Sequence, residues 1–301
     1  MNAEDYFDKL ITKNIPIVVD TKESAQVAHQ HGFEVIHFDE CDFLQNKIAA
    51  LLIISTYEYH EKLRNLWNNS QAILAHLAIA KFDNSTTSLH YSLSKLLSVD
   101  CRSVIRSRSE AYTKLLSNRC AKICSPYGQM TCSLNEEVEI ANDATIMKAG
   151  WLYSIAEFFE ASIVNISEDR SSFTIDGEFI FNGLIYLFNN VEIKNKFDSF
   201  LNQLMISCSS GENKITFEDN IARSIIIGGL DRTSEFNQIF SELERGLTAT
   251  EFSLGCAKYN QPVDWKINSL LNEGVSGIHI GIGMGRKMPH IDFISTCASL
   301  Q

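Results

Sequence analysis

The sequence lacks the motifs that mark several common classes of protein. Eight cysteines are spread over 301 residues without a C-x-x-C pair, which gives no support to a zinc ribbon, a redox dithiol or a disulfide framework. No stretch of about 18 uninterrupted apolar residues predicts a membrane-spanning segment. The first residues also lack the basic start and apolar core of a secretory signal. We therefore expect a cytoplasmic protein with reduced thiols and no membrane partner.

Positive charge is scarce as well. The chain has 26 Lys and Arg against 37 Asp and Glu, a formal net charge of −11. Because a protein that binds phosphate backbones needs a cationic face to release counterions, we expect no nucleic acid partner. The 45% hydrophobic and 21% charged residues are typical of a globular protein. The length suits two domains of ordinary size.

The first third of the chain alternates between strand and helix patterns. Residues 15–20, 33–38 and 49–55 are short apolar or alternating runs, and the first and third are followed by the helix-forming segments TKESAQVAHQHG and EYHEKLRNLWNN. Strands separated by helices of about a dozen residues predict a parallel sheet covered on both faces, as in Rossmann-like folds. No G-x-G-x-x-G follows the first strand, so no dinucleotide site is predicted.

The pattern changes near residue 120, and we place a domain boundary between residues 130 and 140. From about residue 120 onward, short alternating runs separated by turn residues dominate, beginning with AKICSPYG and QMTCSLN, and helices are predicted at KNKFDSFLNQL and EFNQIFSELERG. We predict an α/β protein in which a Rossmann-like α/β domain (1–135) precedes a β-rich α+β domain (136–301) with a mixed or antiparallel sheet. The candidate site residues of the next paragraphs fall in the second of these domains.

Three ionisable residues near the end of the chain are predicted to share one face of a hairpin. Residues two apart on a strand point the same way, which puts His290 beside Asp292. A turn at Gly285 and Arg286 would place His279 directly opposite Asp292, close enough to share a metal ion. Two histidines and a carboxylate are ligands of catalytic zinc and of non-haem iron. The alternative is that Asp292 only orients a structural histidine.

Several segments resemble the aminopeptidase T family of thermophilic metallopeptidases. The similar segments are GWLYSIAEFFEASIV, LTATEFSLGCAKYN, LLNEGVSGIHIGIG and PHIDFIS. The resemblance covers roughly residues 105–297 and implies a Rossmann-like part followed by a metal-binding part. It implies metal ligands at five positions: Glu157, Glu251, His279, His290 and Asp292.

The resemblance also implies a chemistry. Glu273 corresponds to the general base of the family, and Arg286 stands about where the family has a tyrosine that stabilises the oxyanion. Such a site holds one or two divalent ions, Zn, Mn or Co, which activate water against a peptide or amide bond. The family further implies a homodimer.

Two alternatives stay open from the sequence. A ring-cleaving dioxygenase that acts on a dihydroxypyridine resembles the same family and uses a His, His, Asp site for Fe(II), which His279, His290 and Asp292 would supply. The third hypothesis is a non-catalytic protein that kept the peptidase groove and binds a peptide, for example in the biosynthesis of a peptide natural product. The expected ligand is therefore a peptide or a small-molecule substrate.

Overall fold

Helices and strands occur close to where the sequence pattern predicts them. The computed structural model describes residues 1–117, 119–167 and 171–301. The helices are α1 (Ala3–Ile11), α2 (Lys22–Gln30), α3 (Tyr57–Leu66), α4 (Thr86–Ser98), α5 (Cys101–Ser117), α6 (Val191–Ser207) and α7 (Thr233–Phe240). The strands are β1 (Ile17–Val19), β2 (Val35–His37), β3 (Ala49–Ile53), β4 (Ile73–Leu77), β5 (Cys120–Ser125), β6 (Gly128–Leu134), β7 (Glu139–Ile140), β8 (Leu152–Ser154), β9 (Glu160–Val164), β10 (Phe173–Ile180), β11 (Gly183–Leu187), β12 (Lys214–Glu218), β13 (Ile221–Ile227), β14 (Leu230–Asp231), β15 (Ala249–Gly255), β16 (Gly277–Ile282), β17 (His290–Ser295) and β18 (Ser299–Leu300).

The first part of the chain builds a parallel sheet in the order β2-β1-β3-β4-β8. Its strands are mostly apolar because both faces are covered. Val19 packs in a core with residues of α1, α2, α4 and α5, whereas Val18 faces a second core that includes Leu63 of α3. The hydroxyl groups of Thr21 and Thr56 accept backbone hydrogen bonds at the starts of α2 and α3. The predicted Rossmann-like first part is confirmed.

The rest of the chain builds two sheets with antiparallel pairing. One has the order β14-β13-β12-β10-β6-β5-β18, and the other β11-β17-β16-β15-β9-β7. Every second residue of β6 is buried, as expected for a strand with one face on a core. That core combines residues of both sheets with Phe197 of α6 and Phe240 of α7. The predicted fold class, α/β with a β-rich second part, is confirmed.

Sheet membership does not follow the predicted boundary at residue 135. Strands β5 and β6 precede it and pair within the seven-stranded sheet, whereas β8 follows it and pairs with β4 of the parallel sheet. Backbone pairing between distant segments decides this arrangement, and the local pattern of β8, only three residues long, carries no information about its partner. The division into domains at residue 135 stays a prediction.

Two features of the sequence analysis have a direct structural counterpart. The eight cysteines are free thiols. Within the described ranges, no helix is both long enough and apolar enough to cross a lipid bilayer.

Candidate metal centre

Four adjacent strands of the six-stranded sheet, in the order β17-β16-β15-β9, present polar side chains on one face. These side chains are Asp292 and His290 from β17, His279 from β16, Glu251 from β15 and Glu160 from β9. The alternating residues point into the core between the two antiparallel sheets. The predicted separation of an apolar and a polar face is confirmed.

The predicted pairing of the hairpin is wrong by two residues. Asp292 lies opposite Gly281, and His279 lies opposite Ile294. The connection is longer than a two-residue turn and contains Gly283 and Gly285 in the left-handed region, which moves the whole pairing along the strand. Because side chains alternate with a period of two, a shift of two residues keeps His279 and Asp292 on the same face.

The polar residues form two groups that share one carboxylate. In the first group, His279 Nε2 lies 3.3 Å from Glu251 Oε1 and 3.6 Å from Glu160 Oε2. In the second group, His290 Nε2 lies 3.3 Å from Glu251 Oε2 and 3.1 Å from Asp292 Oδ1. Each group offers three ligand atoms within 4.8 Å of one another. Glu251 therefore turns one oxygen towards each group.

The spacing of these atoms fits metal ions. Ligand atoms that bind one zinc ion at about 2.1 Å in tetrahedral geometry lie about 3.4 Å apart. The four nitrogen–oxygen distances, 3.1 to 3.6 Å, fall around this value. A carboxylate with one oxygen in each group can bridge two divalent ions. Imidazole and carboxylate together suit Zn, Mn, Co or Fe.

Neighbouring groups hold the ligand side chains in place. His290 Nδ1 lies 2.8 Å from the carbonyl oxygen of Gly283. Since a carbonyl only accepts, Nδ1 donates its proton to Gly283, and Nε2 is the nitrogen that faces Glu251 and Asp292. Nε2 would bind a metal after losing its own proton. The hydroxyl groups of Ser162 and Ser253 donate to Glu251 Oε1 at 2.6 and 2.8 Å.

Several buried atoms of the site have no hydrogen-bond partner within the part of the chain that the structure describes. They are both carboxylate oxygens of Asp292, Oε2 of Glu160 and Nδ1 of His279. Oδ1 of Asp292 and Oε2 of Glu160 do lie 3.1 and 3.6 Å from histidine Nε2 atoms, but without hydrogen-bond geometry. Only 1% of the Asp292 surface is exposed. Buried polar atoms are normally satisfied, and a buried charge requires a partner. The unsatisfied oxygens are therefore chemically suited to a bound cation.

The pKa values of the buried carboxyl groups also favour a bound cation. Burial raises the pKa of Glu160 well above its usual range, and the negative charges of Glu251 and Asp292 add to this. Burial raises the pKa of Glu273 similarly, with contributions from Asp292 and Glu160. Burial opposes ionisation of Glu251 too, but the hydrogen bonds with His279 and His290 lower its pKa well below the usual value. Bound cations would offset this excess of carboxylates.

The remaining predicted residues line the same cavity but stand outside the two groups. Glu157 lies in a single 3₁₀ turn before β9 and accepts a hydrogen bond from Asn142 Nδ2 at 3.1 Å. Burial raises the pKa of Glu157 to about 7. Glu273 is buried beside the ligands, and Arg286 is exposed in the connection between β16 and β17.

Glu160 and the two serines that support Glu251 were not among the residues predicted from the sequence. The motif Glu-x-Ser occurs at Glu160 on β9 and again at Glu251 on β15, and these strands are neighbours. Alternation puts each serine on the face of its glutamate. The repeated motif was therefore a usable signal, although the sequence did not show that the two strands pair.

The site lies in a cavity of about 800 Å³ between the six-stranded sheet and the parallel sheet. The lining includes residues that follow the carboxyl ends of β4 and β8, such as Lys81 and Glu157. Ligands of open parallel sheets bind at this edge of the strands. A cavity of this size suits a small molecule or a short peptide.

Two solved structures match this chain at low sequence identity. The structure of 2,5-dihydroxypyridine dioxygenase from Pseudomonas putida KT2440 matches with a TM-score of 0.53 and 10% identity, covering 99% of this chain and 92% of that one. The structure of AmpT from Thermus thermophilus matches with a TM-score of 0.48 and 10% identity, covering 96% and 91%. At this identity the likeness to the dioxygenase shows the fold alone.

Sequence comparison corrects the family suggested by the short motifs. No curated protein sequence matches this chain. A family model named Crocagin biosynthetic protein CgnE/B matches residues 12–301, and this family is not the aminopeptidase T family. The motifs that suggested that family are short and surround ligand-type residues, which related folds can share. Because the match spans nearly the whole chain, the chain belongs to the crocagin biosynthetic protein CgnE/B family.

Proposed function

We propose that this chain is a metal-dependent hydrolase that cleaves a peptide or amide bond in a biosynthetic intermediate. The observation that carries the proposal is Glu251, which turns one oxygen towards His279 and the other towards His290. Glu160 and Asp292 complete the two groups. The family name supports a role in natural-product biosynthesis.

Different residues of the cavity have different roles in the proposed hydrolysis. Divalent ions held by such ligands lower the pKa of bound water and polarise a carbonyl group. Burial and the neighbouring carboxylates raise the pKa of Glu273, and the positive charge of bound cations would lower it again. The ionised Glu273 would then accept the proton of the attacking water and pass it to the leaving amine. Arg286 lines the open side of the cavity and donates hydrogen bonds to the developing oxyanion.

The number of histidines in each group favours hydrolysis over ring cleavage. A facial triad for Fe(II) uses two histidines and one carboxylate. Each group here has one histidine and two carboxylates, so the predicted combination of His279, His290 and Asp292 is not one of the two groups. We expect no oxygen uptake from the Fe²⁺-loaded protein with aromatic diols. Rapid uptake would instead support the dioxygenase alternative.

Metal stoichiometry tests the proposed site. Calorimetric titration of chelator-treated protein with Zn²⁺, Mn²⁺ or Co²⁺ should give two bound ions. Glu251→Gln should weaken both, because both groups lose a ligand, whereas the exposed Glu212→Gln should bind as the wild type does. Equal binding by Glu251→Gln and the wild type would contradict the site.

Activity tests the reaction. The metal-loaded protein should hydrolyse short peptides or peptide amides, and a chelator should abolish turnover. Glu273→Gln should lower kcat by about 10²–10⁴-fold, the usual contribution of a general base, without changing the number of bound ions. Tight peptide binding without any cleavage would favour the non-catalytic alternative.

A further inference from the structure

The side of the cavity that is built by the parallel sheet and α3 carries a group of basic residues, here called the basic wall, beside Glu61 and Glu157. It is formed by His60 and Arg64 of α3, His76 of β4 and Lys81 in the turn after β4. These four residues belong to the parallel sheet and its helices, whereas the candidate metal ligands belong to the six-stranded sheet. The four basic residues are neither candidate metal ligands nor hydrogen-bond partners of those ligands, so the proposed metal site gives them no role.

Two side chains of the basic wall carry unsatisfied atoms. Nδ1 of His60 and Nδ1 of His76 are buried and have no hydrogen-bond partner among the described residues. The residues are 3% and 8% exposed. Their rings are parallel, with centroids 6.4 Å apart. Buried imidazole nitrogens usually find a partner, so a bound group or ordered water is expected beside them.

Lys81 supplies the charge at the centre of this wall. Its ammonium group forms no ion pair within 4.0 Å in the described parts of the chain. Burial, together with the nearby positive charge of Arg64, lowers the pKa of Lys81 to about 8, against the opposing negative charges of Glu157 and Glu273. Lys81 is therefore still mostly cationic at neutral pH. A half-buried cation without a direct partner is ready to bind an anionic group of a ligand.

We propose that Lys81, with Arg64, His60 and His76, binds a carboxylate of the substrate across the cavity from the carboxylate-rich wall. The cavity of about 800 Å³ accommodates a short peptide whose carboxylate lies on the basic wall and whose amide faces Glu251. The placement of the peptide amide at Glu251 rests on the proposed function. Binding of the carboxylate by the basic wall does not require a metal.

Three matched peptides test the proposal. A tripeptide with a free carboxylate, the same peptide with a carboxamide, and the carboxamide with an aspartate side chain are titrated calorimetrically into the full-length protein. The titrations are made with EDTA and with saturating Zn²⁺. The free acid should bind at least about tenfold more tightly than the plain amide, as expected for a charge-assisted hydrogen bond in a partly buried site.

Variants identify the residue responsible. Lys81→Met should abolish the preference for the acid, and Lys81→Arg should retain most of it. The exposed Lys266→Met, which lies outside the cavity lining, should leave it unchanged. An aspartate-containing amide that binds like the acid, and depends on Lys81, would show that a side chain supplies the carboxylate.

Two results would overturn the inference. One is equal affinity of the wild type for the acid and the plain amide under both conditions. The other is a preference for the acid that survives Lys81→Met. A Lys81-dependent preference in EDTA, together with failure to bind metal, would contradict the proposed hydrolase and leave the carboxylate site standing.

Discussion

Each candidate ligand is defined by its own immediate surroundings. His290 has one nitrogen fixed by the Gly283 carbonyl, and the oxygens of Asp292 are buried without hydrogen-bond partners in the described ranges. Glu251 accepts from two serine hydroxyls while facing both histidines. The sequence predicted His279, His290, Asp292 and Glu251 for this cluster. Nothing in the sequence favoured Glu160 over Glu157. The two glutamates are only three residues apart in an apolar segment, and the local pattern does not show that Glu157 lies in a turn and Glu160 in strand β9.

The pair Glu157 and Glu160 gives the first prediction. Glu160→Gln should weaken one of the two bound ions by at least about tenfold, because Glu160 belongs to the group of His279. Glu157→Gln is the matched control, since Glu157 lines the same cavity outside both groups. Calorimetric titration with Zn²⁺ measures the difference. The reverse order of effects would restore Glu157 as the ligand that the resemblance implied.

Protonation of His60 gives a second prediction at this scale. Burial lowers the pKa of His60 from 6.5 to about 4, with contributions from Lys81 and Arg64. Between these values the unfolded chain binds more protons than the folded one, so stability rises with pH and is lost as the pH falls from 6.5 to 4. The loss should be about 3 kcal/mol, at about 1.4 kcal/mol for each pH unit.

The measurement is urea unfolding at several pH values. His60→Leu should have a smaller slope of unfolding free energy against pH in this range. Part of the slope should remain, because burial also lowers the pKa of His76. Identical slopes for the variant and the wild type would contradict the prediction.

The elements that carry the site are the four strands from β9 to β17. Strand alternation predicted which residues share a face. That prediction stayed correct although the predicted hairpin pairing was wrong by two residues, because a shift of two keeps each side chain on the same face. The pairing itself depends on the connection between β16 and β17, where Gly283 and Gly285 take positive φ angles of 75° and 69°. Local sequence predicted a turn there, but a two-residue turn and a longer loop were both compatible with the glycines.

Gly281 gives the prediction for this element. A Cβ atom at Gly281 would lie 2.5 Å from Cε1 and 2.6 Å from Nε2 of His290, and 2.8 Å from Oδ1 of Asp292. Gly281→Ala should therefore displace both side chains and weaken metal binding at least about tenfold, as loss of supporting contacts does at metal sites. Calorimetry measures the binding, and circular dichroism checks the fold.

The matched control is Ile280→Val on the opposite face of β16. Ile280 is fully buried in the core between the antiparallel sheets, so its shortening should cost about 0.5–1.5 kcal/mol of stability without changing metal affinity. Wild-type metal binding by Gly281→Ala would show that the ligand positions described here are not those used.

The whole molecule places two walls of opposite charge around one cavity. The net charge of −11 says nothing about this separation, which arises because the parallel sheet and the six-stranded sheet meet at the cavity. The candidate metal ligands and Glu273 form the acidic wall of this cavity. Repulsion between their carboxylates should lower the stability of the metal-free protein, since like charges lie close together. The homodimer stays a prediction, which light scattering of the full-length chain measures.

Thermal stability with and without Zn²⁺ tests whether the acidic wall binds metal ions. Zn²⁺ at about 100 times its dissociation constant should stabilise the fold by about 2.7 kcal/mol, which corresponds to a rise in Tm of roughly 5 °C for a protein of this size. EDTA should reverse the rise. Asp292→Asn should show a smaller rise, because one group of ligands is incomplete. A Tm that is indifferent to both Zn²⁺ and EDTA would mean that no ion binds.

The sequence by itself determined the elements and the faces of the strands. Alternation and periodicity are local properties, so the parallel sheet, the β-rich second part and the shared face of His290 and Asp292 followed from neighbouring residues. Tertiary structure alone decided which strands pair, and with them the choice of Glu160, the support from Ser162 and the basic wall around Lys81. These contacts join segments far apart in the chain, as between Glu160 and His279. Their formation depends on how sheets pack, which no local pattern encodes.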